Sequence, residues 1–146
     1  MEVASLVVDA GHADLATTVQ RLFTALRRLS PPGLSLTAAS TLARLDREGP
    51  HRLTELAAKE GVTQPAMTQL VSRLERDGLA ARAADPEDGR VVLVEITAAG
   101  RELMSRRRQI RADHINEILG TLSEADRRAV DAALPVLNRL ADLIPQ

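Results

Sequence analysis

From Thr63 to Arg76 the chain places short hydrogen-bonding groups and arginines where an exposed helix face would ordinarily carry Glu and Lys. Turning by about 100° per residue collects Met67, Leu70, Val71 and Leu74 into one apolar stripe. The same rotation sends Pro65, Thr68, Gln69, Ser72 and Arg76 to the opposite side, with Arg73 on its edge. An amide such as Gln64 or Gln69 pairs with adenine edges, the hydroxyls of Thr68 and Ser72 reach bases or phosphates, and Arg reads guanine or phosphate. On an isolated helix these residues would make an ordinary polar surface.

Their position decides between the two. LTELAAKE, from Leu53 to Glu60, predicts a short helix burying Leu53, Leu56 and Ala57, and Gly61-Val62-Thr63 breaks it. Thr63 is a good N-cap for the next helix, and Pro65 is tolerated in its first turn. That helix ends at Asp77-Gly78, with Gly78 a left-handed terminator. A helix, a three-residue turn and a second helix with a polar outer face form a helix-turn-helix, the arrangement that lays its second helix in the major groove. Beyond it, Leu79–Ala84 and Val91–Thr97 flank DPEDGR and read as a two-stranded hairpin, because Val91, Val92, Val94 and Ile96 are β-branched and Pro86 and Gly89 mark a turn. Arg90 near the tip suits a narrow minor groove, whose negative potential attracts arginine. Asp85 and Asp88 are placed to hold Arg90 by a charge-assisted hydrogen bond.

The run Asp88-Gly89-Arg90-Val91-Val92-Leu93-Val94-Glu95-Ile96-Thr97-Ala98-Ala99-Gly100 resembles the signature of the multiple antibiotic resistance regulator (MarR) family, which has Asp-x-Arg in a wing, an apolar strand, then Thr-x-x-Gly opening a long helix. Leu36 to Leu45, Glu55-Leu56-Ala57 and Arg73-Leu74-Glu75 are similar to that family too, so the resemblance spans nearly the whole chain. Two positions depart from it. Gly89 stands where many relatives have a second Arg, and Arg52 where a Ser or Thr often caps the first helix of the pair. The resemblance implies a mainly α fold with a small β-hairpin wing, a winged helix-turn-helix at 36–100 flanked by dimerisation helices at 13–29 and 101–144, in a single domain over 1–146. It implies a homodimeric transcription regulator, with repression the usual sign, bound to a pseudo-palindromic double-stranded DNA site. It further implies a small aromatic or anionic effector between the winged unit and the dimerisation helices. Arg82, just past the second helix, is a candidate partner for such an anion, and otherwise a plain surface Arg.

The remaining elements form the frame. Leu15, Val19, Leu22, Leu26 and Leu29 step by four and three from about Ala13 to Leu29, a heptad-like seam after a loose arm at 1–12. Either an internal core helix or an interface helix would carry it. Ser30-Pro31-Pro32-Gly33 ends that helix, and Thr37 is expected to cap the next through Asp46, with Leu42 and Leu45 inward and Glu48-Gly49-Pro50 terminating it. After Gly100 the pattern is helical to about Leu119, with Arg106, Arg107, Arg108 and Arg111 forming a solvated or ion-paired face or a basic patch. Ser123-Glu124-Ala125-Asp126 reads as a capping box opening a last helix, whose apolar stripe is Val130, Leu134, Leu137, Leu140, Ala141 and Ile144. Pro135 should kink or split it. Apolar stripes at both ends exceed what the central unit can cover, which predicts that the terminal helices form a dimer interface.

Composition narrows the function classes. At 146 residues, 45% hydrophobic, the chain is long enough for a globular core. Phe23 is its only aromatic residue, which argues against base-stacking single-strand recognition. The net charge of −1 means that phosphate contacts must come from local placement of Arg. Without cysteine there is neither a disulfide staple nor a thiol redox sensor. His12, His51 and His114 lack ligand spacing, so no metal site and no cofactor are expected. Neither a phosphate loop, a dinucleotide fingerprint nor a nucleophile elbow is present, so an enzyme is not expected. The first residues lack a basic start and a long apolar core, and no apolar run approaches ~20 residues, which points to the cytoplasm and away from membranes. Two alternatives remain beside the regulator: a winged helix used for protein contact, and a small-molecule-binding helical dimer with weak DNA affinity.

Overall fold

The computed structural model describes the backbone of residues 10–144 and the side chains of 14–144. Its elements run α1 (Ala10–Arg28), α2 (Leu36–Glu48), β1 (His51–Arg52), α3 (Leu53–Glu60), α4 (Gln64–Arg76), β2 (Ala80–Ala84), β3 (Val92–Ile96), α5 (Ala98–Gly120) and α6 (Glu124–Leu143). The mainly helical class with a small wing is as expected. Of the arm placed at 1–12, residues 1–9 lie outside the described residues, and α1 already begins at Ala10.

One core holds the winged unit together. Leu42 and Leu45 of α2, Leu56 and Ala57 of α3, and Met67, Val71 and Leu74 of α4 meet Ala80, Val94 and Ile96 of the sheet and Met104 of α5, all buried. Leu53 and Leu70, expected inside, are only partly buried against this cluster. The starts of α2 to α6 each have a physical cause. Thr63 Oγ1 accepts the N–H of Ala66 at 3.3 Å, and Ser123 Oγ accepts that of Asp126 at 3.1 Å. Ser35, not Thr37, caps α2, its Oγ accepting the N–H of Ala38 at 3.1 Å. Leu36 already has helical backbone, so the cap shifts two residues upstream. Arg52 cannot accept a hydrogen bond, and Glu55 compensates by accepting the Arg52 N–H at 3.1 Å.

Two expectations need correction. The wing is not a two-stranded ribbon, because β1 adds to it: the order is β1-β3-β2, with His51 opposite Val94 and Ala80 opposite Ile96. A two-residue strand leaves no alternating pattern to read. Pro135 does not split α6, which runs unbroken from Glu124 to Leu143. The carbonyl that loses its amide partner there belongs to Asp131, an exposed residue, where water can satisfy it.

The winged unit is joined to α5 by a close approach. Helix α4 ends in a Schellman motif: Gly78 has φ 72°, its N–H reaches Glu75 O at 2.9 Å, and the Leu79 N–H reaches Leu74 O at 2.8 Å. Thr97 then ties this exit to the start of α5. Its Oγ1 donates to Gly78 O at 2.6 Å and accepts the Gly100 N–H at 3.1 Å, while its own N–H donates to Leu79 O at 3.1 Å. Gly100 is buried here, and a Cβ on it would lie inside contact with Leu79 O and 2.7 Å from Ile96 Cγ1.

Charge holds the opposite side of the unit. Arg44 donates to Glu60 at 3.0 Å and Glu48 at 2.9 Å, and Glu48 also takes Lys59 Nζ at 2.9 Å and Arg47 at 3.2 Å. The Lys59 hydrogen bond does most to pull the Glu48 carboxyl down to about 2; lost hydration opposes it, and Arg47 and Arg44 add to the lowering. Because the folded pKa is depressed, this stabilisation is present above the ordinary carboxylate range and is lost as pH falls toward 2.

Two outcomes follow. Gly100→Ala should lower stability by about 2–3 kcal/mol, read as a melting temperature roughly 5–10 °C lower; an unchanged melting point would mean the approach is looser than described. Glu48→Gln should melt below the parent at pH 6, with the gap closing as both are titrated from pH 5 to pH 2. A gap independent of pH would contradict the origin given for the depressed pKa.

Candidate nucleic-acid interface

Helix α4 turns Met67, Val71 and Leu74 into the core and leaves Gln64, Pro65, Thr68, Gln69, Arg73 and Arg76 exposed. Ser72 is half-buried on the side facing β2. Thr63, exposed at the N-cap, spends its oxygen on the helix start. Gln69 and Arg73 border an open groove of about 420 Å³ between α4 and the start of α2. The residues expected to read nucleic acid therefore share one continuous face.

The wing brings Arg90 into the open, but its aspartates act differently from the expectation. Asp88 accepts the backbone N–H of Arg90 at 3.1 Å, and Asp85 accepts that of Glu87 at 2.9 Å. A short carboxylate reaches the amide two residues on more readily than the end of a long guanidinium stem, so these are turn-forming bonds. Among the described residues no carboxylate lies within 4 Å of the Arg90 guanidinium.

Paired and unpaired cations divide the winged unit. Arg44, Arg47 and Lys59 are taken by Glu48 and Glu60 on the scaffold side, and Arg82 is ion-paired with Glu75. Arg52, Arg73, Arg76 and Arg90 have no carboxylate within 4 Å among the described residues, and all four are exposed. Acidic residues thus occupy the scaffold's cations and leave Arg52, Arg73, Arg76 and Arg90 unpaired on β1, α4 and the wing, whose tip also carries Asp85, Glu87 and Asp88. A chain of net charge −1 gains a local basic face in this way. Arg52 was missed by sequence reasoning because it stands at a cap position without a motif.

Arg82 is committed rather than free. Its guanidinium is held by Glu75 and lies 3.4 Å from Ser72 Oγ. A different arginine faces a cleft. Arg107 is 5% exposed, its Nη1 donates to Pro32 O at 3.2 Å, and no carboxylate lies within 4 Å of it among the described residues. Burial, and then the neighbouring Arg111, lower its pKa. Together with Arg27, Pro32, Leu34, Leu36 and Ala39 it lines an opening of about 190 Å³ between α2, α5 and the end of α1. The signal was present in the sequence: Gly100, Met104 and Arg107 share one helical face. Its neighbours in the basic cluster pair instead, Arg108 with Asp46 at 3.2 Å and Arg106 with Glu102 at 4.0 Å.

Residues 34–92, the core of this geometry, match the profile of the MarR family. An HTH-type transcriptional regulator of Mycobacterium bovis is 35% identical over 134 residues, covering 91% of this chain and 94% of that one. The chain belongs to the MarR family. It is a DNA-binding, winged-helix transcriptional regulator. Among solved structures, a transcriptional regulator of Pseudomonas aeruginosa superposes with a TM-score of 0.77 at 30% identity, covering 90% of this chain and 94% of that one. One from Thermotoga maritima gives 0.75 at 25% identity, over 89% and 95%. The α4 face and the wing thus sit in the frame that MarR-family regulators share.

Replacing Arg90 by Ala should weaken binding to every duplex by roughly five- to tenfold and reduce the salt slope by about 1. Gln69→Ala should instead flatten preference at one base position, costing about 1–3 kcal/mol of discrimination there. Titration of duplex binding at several salt concentrations separates the two. If both variants bind as the parent does, this face is not the interface.

Proposed function

We propose that the chain is a homodimeric repressor that reads a pseudo-palindromic operator and is released by a small anionic effector. The observation that carries the dimer is the state of its terminal helices. Leu15, Val19, Leu22 and Leu26 of α1 are 39% to 56% exposed, and α6, with Val130, Leu134, Leu137 and Leu140 on one stripe, buries no residue at all. Helices of 19 and 20 residues draw most of their stability from packing an apolar face. A second copy supplies that packing for both at once, in the segments expected from their heptad-like spacing.

Two α4 helices related by a two-fold axis enter successive major grooves about 10 bp apart, with Thr63, Gln64, Pro65, Thr68, Gln69, Ser72, Arg73 and Arg76 at the groove and each wing's Arg90 at the flanking minor groove. Occupying an operator blocks other proteins from it, which makes repression the simplest sign of regulation. The cytoplasm, where the DNA lies, is the compartment for this activity. The cleft at Arg107 suits a carboxylate, since it offers a buried cation without a partner carboxylate. An occupant there releases DNA only by favouring a half-site spacing that the operator disfavours.

Light scattering on the purified protein should give twice the 15.8 kDa chain mass. Selection from a randomised duplex pool should enrich an inverted repeat, with affinity falling steeply between low and moderate salt. Millimolar benzoate should weaken operator binding by the parent but not by an Arg107→Met variant. A monomer, or flat and weak binding at both salts, would favour the protein-contact reading instead.

A further inference from the structure

The hydroxyls on the α4 face are not interchangeable, because the protein has already used one side of each. Thr68 Oγ1 lies 2.9 Å from the carbonyl oxygen of Gln64. A carbonyl oxygen only accepts, so the Thr68 hydroxyl donates, and its proton is turned back along the helix. Outward, Thr68 offers lone pairs and its methyl group. Ser72, one turn later, is arranged the other way. Nη2 of Arg82 lies 3.4 Å from Ser72 Oγ, and a guanidinium only donates, so the oxygen accepts there. Among the described residues no acceptor takes the Ser72 proton. Arg82 is held at this station by its ion pair with Glu75, one turn further along the wing-facing side of the same helix.

We infer that Thr68 and Ser72 read opposite base chemistry, Thr68 accepting from an exocyclic amino group and Ser72 donating to a base acceptor, with Arg82 a positioning residue that sets the polarity of Ser72. This rests on the proposed docking of α4 in the major groove. There the amino donors are adenine N6 and cytosine N4, and the acceptors are guanine O6 and N7, thymine O4 and adenine N7. Thr68 therefore selects adenine or cytosine on the strand it faces. Ser72 excludes cytosine, whose major-groove edge carries only a donor. Residues four apart are separated by about 6 Å along the helix, close to two base steps of ~3.4 Å. Each half-site then carries the two preferences a step or two apart. Glu75 has a second consequence: it neutralises Arg82 and so removes it from the phosphate contacts that set the salt slope.

Selection from a randomised duplex pool tests this, using the full-length parent and the variants Thr68→Ala, Thr68→Val, Ser72→Ala and Arg82→Ala combined with Glu75→Gln. The base positions that change with Thr68→Ala and Ser72→Ala identify the two contacts. The parent should show adenine or cytosine at the first and disfavour cytosine at the second. Thr68→Val, which keeps shape and methyl, should flatten the first by about fivefold, the worth of one hydrogen bond of ~1 kcal/mol. Arg82→Ala combined with Glu75→Gln, so that no carboxylate is left unpaired beside the duplex, should flatten the second as Ser72→Ala does, with the salt slope at the parental value. A parent that prefers guanine or thymine at the Thr68 position overturns the inference, as does retention of the amino preference by Thr68→Val. So does that double variant if it weakens all duplexes equally with a slope reduced by about 1, since Arg82 would then be a phosphate contact. If the parent binds DNA and none of these variants, nor Gln69→Ala, alters the selected site, the docking of α4 itself is wrong and both readings fall together.

Discussion

The contact between Gly100 and the Leu79 carbonyl is the constraint from which the rest of the arrangement follows. Three elements converge there within a few residues: the end of α4, the end of β3 and the beginning of α5. Gly78 turns the chain out of α4 through a left-handed backbone, and Thr97 binds that turn on both sides through its hydroxyl. With no room for a methyl group at position 100, the start of α5 packs directly against the exit of α4. The recognition helix and the long helix leading away from it therefore meet in close contact at this junction. The Thr-x-x-Gly motif has this physical meaning: the threonine supplies the two bonds, and the glycine supplies the missing atom.

Electrostatics is arranged by subtraction. The chain has as many acids as it needs to cancel its bases, and their placement decides which cations remain effective. Glu48 alone collects Arg44, Arg47 and Lys59, and Asp46 collects Arg101 and Arg108 between α2 and α5. Of these pairs, Lys59–Glu48 joins α3 to α2 and Arg101–Asp46 and Arg108–Asp46 join α5 to α2, while Arg44 and Arg47 meet Glu48 within α2. Arg73, Arg76 and Arg90 escape pairing because the elements that carry them have no facing acidic partner. Such a surface attracts phosphate locally and repels it elsewhere, which favours one approach of the duplex over random association.

Much of this was legible in the sequence because it is encoded by short-range rules. The apolar stripe of Met67, Val71 and Leu74, the break at Gly61, the caps Thr63 and Ser123, and the hairpin around DPEDGR all follow from residue type and spacing within about ten positions. What escaped depends on partners far away in the chain. The strand at His51–Arg52 exists only because β3 lies beside it, some forty residues on. Ser35 and Thr37 are equally good caps on paper, and the path of the Pro31–Gly33 turn chooses between them. Arg82 reads as a free cation until the fold brings it against Glu75, and the helical face that Arg107 shares with Gly100 and Met104 marks it as inward without revealing its partner, the Pro32 carbonyl 75 positions away. Charged side chains are poorly legible for one reason: their partners are chosen by tertiary geometry, whereas an apolar stripe announces its own face.

The terminal helices complete the physical argument. The winged unit and the start of α5 share one buried core, but α1 and α6 present apolar stripes that contribute no residue to it. In the proposed dimer their folding is therefore linked to association, and the distance between two reading heads has no meaning in a single chain. In that dimer helix α5, 23 residues and about 35 Å long, would be the arm across which the distance is set. Its base is fixed to α4 at Gly100, and Arg107 in its middle rests on the Pro32 carbonyl beside an open cleft. A group bound at that cleft would act on the arm near its middle. In the proposed mechanism a shift there would reach the recognition helix through the Thr97–Gly100 junction, where close packing leaves little free volume to absorb it.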